Sequence, residues 1–184
     1  MIKVTLKDGS VKEFPAGISA YEAAKEISTG LARNACAAKI NGKNADLRDT
    51  LNEDCELEIL TFDDEYGKRT FRHTASHIMA QAVKRLYPHA KLAIGPAVDD
   101  GFYYDFDLET KFTPEDLAKI EAEMKKIVKE DIKLERSYKS RNEAVEYFKE
   151  KNEPYKVELA EDIPERTRFP GVSQSSSIPR RTSQ

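Results

Sequence analysis

The 184-residue sequence has no tryptophan, two cysteines, three histidines and no long apolar run. Cys36 and Cys55 lack CxxC spacing, which excludes a disulfide framework or a thiolate zinc knuckle and fits a reducing cytosol. No stretch approaches the ~18 apolar residues of a membrane span, and Lys3, Lys7 and Asp8 interrupt the start where a signal peptide would be apolar. The expected location is cytoplasmic, with no membrane contact. A basic surplus is missing too: 30 Lys+Arg face 33 Asp+Glu, the net charge is -3 and the pI is near 5.8. Bulk electrostatic attraction to nucleic acid is therefore excluded, and any RNA contact must be local. Phosphate loops are also missing. Gly42-Lys43 is followed by Asn44, the position a P-loop glycine would take is Ala37, and no GxGxxG occurs. At ~150 residues per domain, the chain has room for one domain or two small ones.

What is present reads as α+β. Ile2, Val4 and Leu6 alternate along the opening strand, Asp8-Gly9 supplies a turn, and VKEF returns, which predicts a β-hairpin. Ser19 and Glu22 have capping-box spacing, and Ala23, Ala24 and Ile27 recur at helical intervals until Gly30, the expected stop. CAAKI, an Asn41-Gly42 turn and ELEIL, with Leu57 and Ile59 on one side, add two more strands. This order predicts a ubiquitin-sized sheet with one helix across it over residues 1–62. The charged stretch 63–69 (DDEYGKR), without apolar periodicity, reads as a linker.

A second unit is expected over 70–165. Ala75, Ile78, Met79, Ala82, Val83 and Leu86 recur at helical spacing and stop before Pro88. LAIGPAVDDGFYYDFDL reads as two strands around Asp99-Asp100-Gly101, with Phe102, Tyr104 and Phe106 on one face. Thr113-Pro114-Glu115-Asp116 opens a helix through Leu117, Ile120, Met124 and Ile127. Ser140 with Glu143 opens another, and KVELA is expected to return as a strand completing an antiparallel sheet. Residues 166–184 hold four arginines, five serines, two prolines and no lysine or acid. They read as a disordered basic tail or as a sequence foreign to the body, whose own frame would then end near Glu165.

His73 and His77 are spaced i, i+4 and lie almost opposite the apolar stripe, so they are not expected in the core. Exposed imidazoles commonly have no chemical role. Alternatively, small Ser76 and Ala80 leave room for a ligand over this face, and the imidazoles bind a metal or orient a substrate and water. No glutamate stands between them as in HExxH, and two imidazoles alone leave zinc short of ligands, so no metal is expected. Gly95-Pro96 and Asp100-Gly101 bound a strand turn and read as turn chemistry. Tyr103, Tyr104 and Asp105 fit either a polar pocket or the wet face of a sheet.

Residues 1–62 resemble a TGS domain, the β-grasp module. RHTASHIMAQAVKRLYPHAKLAIGPAVDDGFYYDFDL resembles the start of the editing domain of the bacterial threonyl-tRNA synthetase family, and together the likeness covers about 160 residues. The resemblance implies an ATP-dependent threonine-tRNA ligase that charges tRNA(Thr) and hydrolyses mischarged Ser-tRNA(Thr) in a separate site. It implies editing roles for His73, His77 and Lys156 of EPYKVEL, and substrate contacts for Tyr104, Gly95 and Pro96. In this family ATP, magnesium and zinc serve a core that has no counterpart here, and the enzyme is a homodimer that binds the tRNA acceptor end. The family's editing pocket is completed by a later Cys and His, but this sequence has no Cys after Cys55 and no His after His89. The expectation is an amino-terminal fragment that does not aminoacylate. The alternative is a TGS-type RNA or protein interaction module without catalysis.

Overall fold

A computed structural model describes residues 1–93, 95–132, 134–162, 164 and 169–174, with backbone alone for 134–138 and 169–174. The chain forms two compact units: Met1–Ala75 with Ala97–Phe102, and the remainder.

In the first unit, β1 (Ile2–Leu6) and β2 (Val11–Phe14) make the expected hairpin, with Ile2 opposite Phe14 and Thr5 opposite Val11. Asp8 closes the turn by accepting from the Ser10 backbone N–H (2.9 Å) and hydroxyl (2.6 Å), and Gly9 takes the left-handed φ of 81°. β3 (Ile18–Ser19) leads into α1 (Ala20–Ile27), where Ser19 and Glu22 form the reciprocal capping box. The helix does not run to Gly30. Ser28 breaks it with an extended backbone and its own side chain caps α2 (Thr29–Asn34), so Gly30 lies inside a second helix.

β4 (Ala37–Ile40) and β5 (Lys43–Ala45) fold around Asn41-Gly42, both with positive φ. β6 (Thr50–Leu51) pairs with β3, and β7 (Cys55–Leu60) enters the sheet between β1, which it parallels, and β4, which it opposes. The sheet order is β2-β1-β7-β4-β5. Val4, Phe14, Ala20, Ala23, Leu51 and Leu57 form one core with Ile59 packed against it.

The segment expected as a linker is mostly helix: α3 runs from Glu65 to Leu86. Its start is set by tertiary and capping contacts that an apolar pattern cannot reveal. Asp64 accepts from the Thr61 N–H (2.7 Å), and the Lys68 N–H donates to the Asp64 carbonyl (2.8 Å). Gly67 lies so close to the Thr61 carbonyl that any Cβ would collide with that backbone. β9 (Ala97–Val98) and β10 (Gly101–Phe102) also belong to this unit and pair around Asp99-Asp100, while Arg72 donates to the Val98 carbonyl (3.2 Å) and to that of Asp99.

In the second unit, β8 (Lys91–Leu92) pairs with β11 (Phe106–Asp107). Phe102, Tyr104 and Phe106 are half-buried and Tyr103, Asp105 and Asp107 exposed, as the alternation predicts. α4 (Pro114–Glu130) starts at a Thr113–Asp116 capping box. Its Ile120 and Ile127 pack with Ala82, Val83 and Ala90, and Arg85 holds Glu130 through two bonds of 2.7 Å.

After β12 (Leu134–Lys139), α5 (Arg141–Glu150) carries the third capping box, Ser140 with Glu143. KVELA is not a strand: Pro154–Glu161 form helix α6. The alternation Val157, Leu159 would bury Leu159, which is exposed; the helix instead buries Ala160 and packs Val157 against α5 at Ala144, Val145 and Phe148. The expected broad sheet with KVEL is therefore absent from the described residues, which hold only two-stranded ladders in this unit. Phe169–Gln174, part of the segment expected to be disordered, forms β13 antiparallel to β12. Residues 166–168 and 175–184 of that tail lie outside the described residues.

Candidate functional site

His73 and His77 project from α3 and are exposed, as their position opposite the apolar stripe predicts. The small residues beside them do not leave open space. Ser76 is fully buried, Ala80 nearly so, and the Ser76 hydroxyl donates to the Gly95 carbonyl at 3.4 Å. The small side chains let the 95–96 loop approach the helix closely, and the core face of α3 is rotated toward Ser76, leaving Leu86 37% exposed.

Gly95 in turn comes so close to the ring of Tyr104 that a Cβ would overlap the aromatic carbons. Tyr104 stacks on Phe106 with 4.9 Å between ring centres and 21° between planes. Burial, and to a smaller degree the charge of Glu153, pushes the Tyr104 phenol above its ordinary pKa. Pro96 is half-buried beside Gly95, and Tyr103 is exposed.

Lys156 lies in the first turn of α6, half-buried, with its ammonium 5.9 Å from the Phe148 ring centre. Burial lowers its pKa; Glu153 partly opposes that and Lys84 adds to it. Among the described residues its ammonium has no carboxylate within ion-pair distance.

Sequence reading missed two residues that hold this region together. Glu153 is 6% exposed, and its Oε1 receives the Lys84 ammonium at 3.0 Å while Oε2 accepts from the Leu92 N–H at 3.3 Å. Lys84 also donates to the carbonyls of Pro88 (3.2 Å) and Ala90 (2.9 Å). A buried glutamate requires such a set of partners, since an uncompensated charge there is costly. The only signal for it was a Glu-Pro pair that also reads as an ordinary helix entry.

Within the second unit, then, Ser76, Gly95 and Tyr104 form one contact chain beginning next to His77. The charge of Glu153 acts on both Tyr104 and Lys156. His73 stands one turn earlier on α3, in the part assigned to the first unit. Among the described residues no three His, Cys, Asp or Glu side chains converge to hold a metal, so the donor set does not fit a zinc centre and no step is derived through one. Nor is any helix among them long and apolar enough to cross a membrane.

Residues 2–61 match the TGS domain family. The chain is 62% identical over 165 residues to the threonine-tRNA ligase of Acetivibrio thermocellus, covering 90% of this chain and 26% of that protein. It is 63% identical to the Clostridium acetobutylicum enzyme over the same shares, and 60% identical over 162 residues to that of Caldanaerobacter subterraneus, covering 88% and 25%. The chain carries the amino-terminal region of the threonine-tRNA ligase family. It spans about a quarter of the length of the curated relatives it matches. The five-stranded sheet with α1 across it is accordingly a TGS domain of β-grasp form within an α+β chain.

Proposed function

We propose that this chain serves threonine-tRNA ligase function by presenting part of a hydrolytic site to the aminoacylated acceptor end of tRNA(Thr), where mischarged serine is removed. The carrying observation is Lys156: a half-buried ammonium, its proton loosened by burial, with no carboxylate of the described residues claiming it. Hydrolysis of the aminoacyl ester of a terminal adenosine needs a water positioned for attack, a base for its proton and a positive group for the oxyanion. Exposed imidazoles at His73 and His77 supply the base or the water's orientation, and Lys156 supplies the positive charge. Gly95, Pro96 and Tyr104 form a loop-and-ring surface against which a nucleoside can lie. Serine and threonine differ by one methyl, worth ~1–3 kcal/mol in a binding pocket, so a second, hydrolytic selection is useful.

An amide-linked seryl-adenosine, which cannot be hydrolysed, tests this by NMR titration. Binding should shift His73, His77 and Lys156 signals and weaken at least about tenfold in Lys156→Ala. Saturating analogue with no shift at either histidine would overturn the reading. The second reading, a TGS interaction module without catalysis, is favoured by exposed Phe62 and Phe71, edge to face at 5.3 Å with Lys68 over Phe62. RNA binding lost in Phe62→Ala/Phe71→Ala but untouched by His73→Ala/His77→Ala would favour it.

A further inference from the structure

Two lysines of the second unit lie near a single buried carboxylate. Glu153 precedes Lys156 by three residues at the start of α6, a spacing at which acid and lysine side chains meet on a helix. Yet Glu153 turns away. Its Oε1 takes Lys84 from α3 at 3.0 Å, and its Oε2 takes the Leu92 N–H of β8. Lys84 is equally committed, since its three donors are matched by Glu153 and the Pro88 and Ala90 carbonyls. Lys156 is left against the Phe148 ring.

We propose that Lys84 is a positioning residue for Lys156: by occupying the Glu153 carboxylate it denies Lys156 that counter-ion and keeps that ammonium available to an anionic or carbonyl oxygen. The proposal rests on the preceding reading only for what Lys156 then does; the pairing itself is independent of it. Without Lys84, Glu153 would be a buried, uncompensated charge, and Lys156, which already feels that charge, is a cation able to relieve it. The arrangement thus uses one lysine to satisfy the acid so that another stays unpaired among the described residues.

Competitive acetylation of the full chain with trace acetic anhydride, read lysine by lysine by peptide mass spectrometry across pH 7 to 10, tests this without any nucleotide ligand. Lys84→Met should slow Lys156 labelling at pH 8 about tenfold or more, since one unit of raised pKa reduces the free-amine fraction tenfold. Lys84→Arg should keep the original rate, and Lys84→Met with Glu153→Gln should restore it. Lys156 labelling within about twofold of the original in Lys84→Met, or a double variant as slow as the single, overturns the proposal. If Lys84→Met does not fold, as judged by circular dichroism, Glu153→Gln decides, because its amide can still accept from Lys84. Lys156 labelling should then rise less than about threefold, and a rise of tenfold or more would mean Lys156 had been paired with Glu153. Because no arm uses the seryl-adenosine analogue, failure here and failure of the hydrolytic reading are separate results.

Discussion

Residues 2–60 join five strands into a single sheet with α1 against it, so that one core gathers side chains from nearly every element. Among the described residues of the second unit, strands meet only in two-stranded ladders, two helical clusters share the apolar burial, and the most deeply placed charge is a glutamate. A sheet satisfies its backbone groups along its own ladder, which leaves the side chains to pack. Where ladders are short, side chains must also serve as donors and acceptors to loop backbone, as Lys84 does for Pro88 and Ala90 and Ser76 does for Gly95.

The largest test of this contrast is Leu57→Ala, which empties a site 2% exposed at the centre of the sheet core. It should cost about 2–5 kcal/mol, with loss of amide-exchange protection spreading through β1, β4 and β7 together. If protection is lost in β7 alone, the sheet does not act as one body. Gly95→Ala comes next. The new Cβ meets the Tyr104 ring, so a destabilisation of about 1–3 kcal/mol is expected, with displaced Tyr104 and Phe106 signals and an undisturbed TGS spectrum. An unchanged Tyr104 environment would refute the close approach.

The smallest effect is set by pH. Asp116 closes the cap of α4 and accepts from the Tyr87 hydroxyl at 2.7 Å; the Thr113 backbone N–H is the chief cause that holds its carboxyl well below the usual carboxylate range, and Tyr87 adds to it. A depressed folded value means this stabilisation is fully present above about pH 4 and is lost as pH falls through that lower folded value. Amide exchange in α4 should therefore accelerate as pH falls below about 4, and Tyr87→Phe, by raising the folded value, should reduce the total acid-induced acceleration. An equal total acceleration in both proteins would remove Tyr87 from the account.

Signals whose partners lie within four residues were legible in the sequence. The Asp8-Gly9 and Asn41-Gly42 hairpins, the capping boxes at Ser19 and Ser140 and the helix start at Thr113 all formed as expected, because the turn or cap is the interaction. The 63–69 segment was misread because nothing apolar marks the start of α3, whose determinants are Thr61, Asp64 and the missing Cβ of Gly67. KVELA failed for another reason: Val157 fits a two-residue period with Leu159 and a helical one with Ala160, and only contact with α5 chooses between them. At the site, exposure of the two histidines followed from their place on the helix. The burial of Ser76 and the Lys84–Glu153 pair did not, since both depend on segments remote in sequence.

Glu153 occupies the cap position of α6 but gives the helix no side-chain cap, and Pro154 after it has no N–H to offer. Eight residues so begun have little reason to be helical in isolation. α6 is thus a conditional element, ordered by partners on α3 and β8, and a peptide excised at Glu153–Asp162 should be coil in water. Whatever Lys156 does, it does only inside the assembled unit, so that its chemistry arrives and departs with the tertiary structure itself.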